Sequence, residues 1–145
     1  MKNIDIDIEK IKPAIAEIAK KYNLSLVVLF GSQAQKTVHK HSDIDLAYFS
    51  DKPLEIQKES QLICDFMTIF KIDDIDLVSL RSAPSLLLKN IIDSGAVLYE
   101  ARSSFFNELQ IYAIRKYFDE KRLRDLRSDY LIRKIKQYQK DLHYV

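Results

Sequence analysis

The chain has few of the residues that form cross-links, linkers or membrane spans: its 145 residues include one cysteine, two glycines and three prolines. The single cysteine, Cys64, excludes an intrachain disulfide. Its neighbours in segment 62–66 are mostly apolar, and because free cysteine is among the most buried residue types, we expect a packed thiol. No stretch reaches the roughly 20 consecutive apolar residues that a membrane-spanning helix needs.

Other absences indicate one compact unit. No internal repeat, low-complexity tract or Gly/Pro-rich linker interrupts the chain, so we do not divide it into independent domains. A composition of 47% hydrophobic and 30% charged residues is typical of a soluble globular domain. The first ten residues include acidic side chains and no long apolar core, so we expect no signal peptide and a cytoplasmic location.

The net charge of +2 conceals an asymmetry along the chain. Residues 1–100 hold 12 Lys and Arg against 15 Asp and Glu, whereas residues 101–145 hold 11 against 6. Four acidic residues interrupt the basic C-terminal run, so we expect no direct nucleic-acid binding. We predict a core over residues 1–100 and a C-terminal helical extension of the same domain over residues 101–145.

Apolar periodicity predicts an α/β (α+β) fold with a small mixed sheet, flanking helices and a long C-terminal helical region. A helical repeat runs from Ile8 to Tyr22, with Pro13 near its start. From residue 102 to 142 the chain has no glycine or proline and is rich in good helix formers, which predicts one or two long helices. The other predicted elements are strands at 25–30, 43–49, 74–80 and 97–99 and helices at 53–70 and 84–95.

A phosphate site is predicted where the first strand ends. The apolar run 26–30 stops at Gly31 and Ser32, and glycine lets the backbone turn sharply and approach a ligand closely. Ser32 is a favoured N-cap, and exposed N–H groups at a helix start suit phosphate oxygens. Lys36 follows as a cation. We therefore predict that Gly31, Ser32 and Lys36 contact a triphosphate.

A metal site is predicted in the next strand. Strand alternation places Asp43 and Asp45 on one face, and two adjacent carboxylates repel each other unless a cation lies between them. Mg²⁺ binds carboxylate and phosphate oxygens, so the pair is a candidate Mg²⁺ site. A third carboxylate is expected from the strand around residues 74–80, where either Asp74 or Asp76 faces the pair. We favour Asp76, because it lies deeper in the strand, and its carboxylate would take the proton of an acceptor hydroxyl.

The motifs of this chain have a characteristic order and spacing. A Gly-Ser turn is followed by ten residues and then by Asp-Ile-Asp, and a second strand that contains Asp follows about thirty residues later. This arrangement resembles the pattern of a known superfamily. It is similar to the nucleotidyltransferases related to DNA polymerase β, and in particular to their small bacterial and archaeal members, the minimal nucleotidyltransferases (MNT). The resemblance covers roughly residues 8–100 and includes the segments 76–84 and 91–100.

The resemblance implies an activity and a partner. Many MNT proteins are encoded beside a small all-helical HEPN toxin, usually an RNA-cutting enzyme, and neutralise it by transferring AMP from ATP to a tyrosine near its active site. It also implies that Asp43 and Asp45 hold Mg²⁺, that Asp76 completes the acidic triad, and that Gly31 and Ser32 hold the triphosphate. Many relatives carry arginine just after the Gly-Ser turn, where this chain has only Lys36 as a point charge.

The C-terminal region leaves two further functions open. An apolar stripe and a basic cluster share residues 105–142, and the stripe either packs on the sheet or docks on another protein. In the second case the chain is an antitoxin that inhibits by occlusion without catalysis. A small-molecule nucleotidyltransferase of the aminoglycoside-modifying kind has the same core motif, although this chain is short for that activity.

Overall fold

A computed structural model describes residues 7–31 and 43–143 of the chain. Within these ranges, helices and strands alternate as the sequence predicts, and each predicted boundary lies within three residues of the observed one. The C-terminal region is a single helix. The elements in chain order are α1 (Ile8–Lys21), β1 (Leu24–Phe30), β2 (Ile44–Ser50), α2 (Ile56–Phe70), β3 (Ile75–Ser79), α3 (Ser85–Ser94), β4 (Ala96–Glu100) and α4 (Phe105–His143).

The four strands form one mixed sheet in the order β3-β2-β1-β4. Strand β1 pairs antiparallel with β2 and β4, whereas β2 and β3 are parallel. Parallel neighbours need a crossover connection, which α2 supplies. The register of β2 and β3 places Asp45 directly beside Asp76. The predicted α/β class with a small mixed sheet and flanking helices is confirmed.

Helices α1 and α2 cover one face of the sheet. Because side chains alternate along a strand, this face receives Ile44, Leu46 and Tyr48 from β2, and all three are buried. Lys21 and Tyr22 at the end of α1 both bond to the Asp65 carboxylate of α2, at 2.9 and 2.8 Å. Pro13 lies in the second turn of α1, so it is tolerated inside the helix rather than setting the first turn.

Helices α3 and α4 cover the opposite face. Its core combines Ala47 of β2 and residues of β1 with Leu88, Ile91 and Ile92 of α3 and Ala113 of α4. Helix α3 begins directly after Pro84 and ends at Gly95, as the sequence predicts for this Pro and Gly pair. The two layers of helix therefore lie on opposite faces of the sheet, and on this second face α3 and α4 pack mainly against β1 and β4. The side chains between them form the second half of the core.

The expected burial of Cys64 is wrong, because its thiol is exposed. Helix α2 buries Leu62, Phe66 and Phe70, which are spaced four residues apart and lie on one face. Cys64 is two residues from both Leu62 and Phe66, and two residues correspond to about 200° around a helix. Its apolar neighbours in sequence are therefore not its neighbours in space.

Phe66 and Cys64 provide a matched test of this arrangement. Phe66 has no exposed surface, so Phe66→Ala should lower the free energy of unfolding by about 3–5 kcal/mol. Cys64→Ala should change it by less than about 0.5 kcal/mol. Denaturation by urea, followed by circular dichroism, measures both. Equal losses for the two variants would contradict the assigned face of α2.

Helix α4 extends beyond the part of the domain that it packs on. Its 39 residues correspond to about 58 Å at 1.5 Å per residue, and Ala113 near its start is its one fully buried residue among those described. Tyr117 connects it to α3, because the ammonium of Lys89 lies 5.1 Å from the centroid of the Tyr117 ring. Within α4, the guanidinium of Arg124 lies 4.0 Å from the same centroid. The exposed apolar residues farther along include Leu123, Leu126, Tyr130, Leu131, Ile132, Ile135, Tyr138 and Leu142.

This geometry distinguishes the two ends of the apolar stripe. The start of α4 packs against α3 and the sheet, and the region after Arg124 is exposed. None of the described helices is both long enough and apolar enough to cross a membrane. The division at residue 100 stays a prediction.

Candidate functional site

Four aspartates meet at one end of the two parallel strands. Asp45 lies in β2 beside Asp76 in β3, and alternation places both on the face covered by α3 and α4. Asp43 and Asp74 directly precede their strands, and the N–H of Ile44 donates to the carbonyl of Asp74 at 3.2 Å. The structure therefore brings together the three predicted carboxylates, Asp43, Asp45 and Asp76, and adds Asp74.

In two of these aspartates, Asp45 and Asp74, the surroundings disfavour the charged form of the carboxyl group. Partial burial raises the pKa of Asp45 above its ordinary value, and the charges of Asp76 and Asp43 raise it further. A hydrogen bond with Asp43, together with the repulsion between the two charges, raises the pKa of Asp74. The cluster therefore holds more negative charge than its surroundings compensate, and a cation bound among these oxygens would relieve the repulsion.

Gly31 lies against this cluster. It follows β1 with φ of 73°, a left-handed conformation that side chains other than glycine rarely adopt. A Cβ at this position would overlap the carboxylate of Asp45 and lie 3.0 Å from its Cγ. Glycine is therefore required twice, for the turn and for the close approach of the backbone to Asp45. Contact between Gly31 and a triphosphate stays a prediction.

The other predicted phosphate contacts, Ser32 and Lys36, lie outside the described residues. The described part of the site consists of Gly31 and the four aspartates. Whether the hydroxyl and the ammonium complete it stays a prediction.

The donor set fits Mg²⁺, which prefers carboxylate oxygens and retains water or phosphate at its remaining positions. Within residues 7–31 and 43–143, no group of three acidic, histidine or cysteine side chains is arranged so that it could hold a metal ion by itself. A metal that is held jointly by the protein and a substrate phosphate needs only some of its ligands from the protein, because the substrate supplies the others. Asp43, Asp45 and Asp76 are the residues that would hold it.

Asp74 is the carboxylate that the sequence leaves open as an alternative to Asp76. The signal that identifies it is the repeated pattern Asp-Ile-Asp, which occurs at 43–45 and again at 74–76. When two such segments lie in parallel register, each aspartate of one is beside an aspartate of the other. The sequence alone does not reveal whether the two strands that contain these segments pair in this register.

A cavity of about 470 Å³ opens at the other end of the two strands. Phe49 and Leu80 belong to the same half of the core as Ala47, so the cavity lies on the face that carries Asp45 and Asp76. Its lining consists of Phe49, Leu80, Arg81, Ala83, Leu88, Phe105, Glu108, Leu109, Tyr112 and Lys116. No pattern in the sequence predicts this cavity, because its lining residues come from three separate elements and the loop after β3.

Part of the chain is similar in sequence to a nucleotidyltransferase family and to two adenylyltransferases. The profile of the family described as "Polymerase beta, Nucleotidyltransferase" matches residues 13–104. A protein adenylyltransferase MntA of Shewanella oneidensis is 36% identical over 76 residues, which are 52% of this chain and 54% of that protein. A protein adenylyltransferase MntA of Aphanizomenon flos-aquae is 30% identical over 96 residues, 60% of this chain and 64% of that protein. The matched stretch thus spans less than two thirds of each curated relative.

Solved structures extend the similarity to the whole fold. A crystal structure described as the toxin–antitoxin with AMP-PNP contains a chain that superposes with a TM-score of 0.72 at 26% identity, covering 83% of this chain and 98% of that one. A complex of tri-AMPylated Shewanella oneidensis HEPN toxin with MNT antitoxin matches with a TM-score of 0.69 at 22% identity, covering 86% and 98%. The second likeness shows the fold alone. The resemblance to MNT proteins predicted from the motifs is confirmed.

Proposed function

Because the chain belongs to the polymerase beta nucleotidyltransferase family, we propose that it transfers AMP from ATP to a tyrosine hydroxyl of a cognate HEPN ribonuclease toxin and thereby acts as its antitoxin. Two relatives named protein adenylyltransferase support the activity. A similar chain in a toxin–antitoxin structure with AMP-PNP supports both ATP as the co-substrate and a toxin as the partner.

The observation that carries this proposal is the pairing of Asp45 with Asp76 in parallel register beneath Gly31. The structural alternative, a pair of surface carboxylates at a capped turn, does not account for the raised pKa of Asp45 or for the collision that any side chain at position 31 would cause. Mutually repelling carboxylates beside a closely approaching backbone suit a metal-bound phosphate group.

Asp43, Asp45 and Asp76 would hold Mg²⁺ in this reaction. When bound, Mg²⁺ offsets the charge that develops on the phosphate oxygens and orients the entering and leaving groups. Gly31 contributes space, because its missing side chain leaves room for the triphosphate above Asp45. Ser32 and Lys36 are proposed to contact the phosphates.

The proposed transfer exchanges one bond to the α-phosphorus of ATP for another. The tyrosine oxygen forms a bond to the α-phosphorus of ATP, while the bond from that phosphorus to the bridging oxygen of the β-phosphate breaks. Pyrophosphate leaves with the electron pair of that bond. Asp76 accepts the proton of the tyrosine hydroxyl, since it lies in the strand at the outer side of the pair and its carboxylate is exposed.

Intact-mass spectrometry of the toxin tests the proposal. A candidate HEPN toxin is co-expressed with the wild type or with the double variant Asp43→Ala/Asp45→Ala. We expect the toxin to gain one or more AMP masses only with the wild type. An unchanged toxin mass with the wild type would rule out AMP transfer to this partner.

A second function, inhibition by occlusion, is favoured by one observation. The part of α4 beyond Arg124 exposes several large apolar side chains, among them Leu131 and Ile135, and such a surface suits contact with another protein. If the toxin stays unmodified and is still neutralised by Asp43→Ala/Asp45→Ala, neutralisation is by binding.

The two candidates for the third carboxylate can be separated by substitution. Asp76 is in register with Asp45, whereas Asp74 contacts Asp43 outside the strand. Asp76→Asn should therefore lower the rate of AMP transfer roughly 100-fold or more, and Asp74→Asn less than about tenfold. Single-turnover incorporation of labelled AMP measures both. The reverse order would assign the third position to Asp74.

A further inference from the structure

The cavity beside α4 has a fixed relation to the acidic site. Phe49 lies four residues after Asp45, and Leu80 lies four residues after Asp76. Four residues of a strand span about 13 Å, and an even number of residues keeps the side chains on the same face. The two sites therefore share one face of the sheet and lie about 13 Å apart.

The walls of the cavity are apolar and aromatic. Leu80, Ala83, Leu88 and Leu109 belong to the core beneath the cavity or pack against that core. The rings of Phe49 and Phe105 contact each other at a tilt of 51°, with their centroids 5.2 Å apart. Tyr112 is 54% exposed at the opening. A cavity of this size and lining accommodates an aliphatic or aromatic side chain.

The rim carries positive charge. The Arg81 guanidinium is held in place, because it donates to the carbonyls of Ser50 and Asp51 at 3.3 and 2.7 Å. Lys116 adds a second cation.

The one rim carboxylate is already compensated. Both oxygens of Glu108 accept hydrogen bonds from Arg102, and the Ser104 hydroxyl donates to one of them. Its pKa is lowered by these contacts, chiefly by the bond to Arg102. Glu108 therefore does not cancel the charges of Arg81 and Lys116, so the rim favours an acidic group.

Resting on the proposed AMP transfer, we propose that this cavity anchors the protein acceptor by an apolar side chain that has an acidic residue next to it. The distance of about 13 Å corresponds to four residues of an extended chain. The anchor thus lies about four residues from the tyrosine that receives AMP. The cavity selects peptides or protein segments with this spacing over free tyrosine.

Labelled peptides test this in the absence of ATP. Each peptide has one tyrosine and, four positions before or after it, Phe-Glu, Ala-Glu or Phe-Lys, with Gly and Ser elsewhere. Fluorescence anisotropy with the full chain gives the dissociation constants. The pair fits the cavity either when it precedes the tyrosine or when it follows it. In that one arrangement we expect the Phe-Glu peptide to bind about tenfold tighter than the Ala-Glu peptide and several-fold tighter than the Phe-Lys peptide.

Two pairs of variants on α4 locate the binding. Lys116→Glu should abolish or invert the preference for Phe-Glu over Phe-Lys, and its control Lys136→Glu, at an exposed position beyond the domain, should leave it unchanged. Tyr112→Ala should weaken Phe-Glu binding, whereas Tyr138→Ala, equally a tyrosine on the exposed helix, should not. Circular dichroism verifies that all four variants fold.

The outcomes separate this proposal from the proposed function. Equal affinities for all peptides, or a loss of ATP binding instead of peptide binding in Tyr112→Ala, would overturn the anchor site. Because binding is measured without ATP, a failure of AMP transfer leaves the peptide result intact. Conversely, if the toxin receives AMP but all peptides bind with the same affinity, the anchor site is overturned and the proposed AMP transfer is not.

Discussion

Asp45→Asn should abolish AMP transfer while making the metal-free protein more resistant to heat. Asparagine keeps the shape of the side chain but removes the negative charge. That charge would help to bind Mg²⁺, and the bound Mg²⁺ would in turn interact with the phosphates. Loss of a metal ligand at such a site is expected to lower the rate roughly a thousandfold or more. Incorporation of labelled AMP, with the fold verified by circular dichroism, measures this loss.

The gain in stability follows from the direction of the pKa shift. Burial and the charges of Asp76 and Asp43 raise the pKa of Asp45 in the folded protein above its unfolded value of 3.8. Between these two values the folded state binds more protons than the unfolded state, so stability falls as the pH rises through that window. At neutral pH the full penalty applies, and Asn removes it.

Thermal denaturation with EDTA at two pH values checks this sign. We expect the melting temperature of Asp45→Asn to exceed that of the wild type at pH 7, and the difference to vanish below about pH 4. Asp73→Asn is the matched control, because Asp73 is an exposed carboxylate next to the cluster but outside it. Near-normal transfer by folded Asp45→Asn would exclude the role assigned to Asp45.

Gly31→Ala should impair the site even though the added group is a single methyl. The φ of 73° costs a residue with a side chain on the order of 1–3 kcal/mol. The methyl also overlaps the carboxylate of Asp45, so either the turn or the carboxylate must move. A displacement of about 1 Å at a reacting centre costs roughly 100-fold in rate, and we expect a loss of at least that size.

Gly95→Ala is the control for Gly31→Ala. A Cβ at Gly95 would collide with the carbonyl of Ile91 and with Val28, but the backbone there has φ of −76°, and none of the atoms that the added Cβ would meet belongs to an aspartate. Both variants should lose stability in urea denaturation, and only Gly31→Ala should lose activity per folded molecule. If both keep full activity, the close approach at Gly31 has no catalytic consequence.

The sequence predicts most of the fold and part of the site because both depend on short patterns. The alternation around Asp45 and the helical repeat of α1 are local, and local geometry determines which side chains share a face. Gly31 is predictable for the same reason, since a strand that ends in glycine indicates a sharp turn.

The features that the sequence missed depend on contacts between distant segments. The orientation of Cys64 is decided by which face of α2 meets the sheet, and the pairing of Asp74 with Asp43 by the parallel register of β2 and β3. The cavity near Phe49 and Tyr112 arises only when α4 packs beside the sheet. Each depends on tertiary packing, which a linear pattern of apolar residues does not encode.

The position of β3 at the edge of the sheet has a consequence for aggregation. An edge strand presents unpaired backbone groups to which another chain can add, and charged side chains on it discourage that addition. Asp73, Asp74 and Asp76 crowd the beginning of β3. Asp76, which is proposed to serve the chemistry, therefore also helps its two neighbours to discourage two molecules from joining their sheets edge to edge.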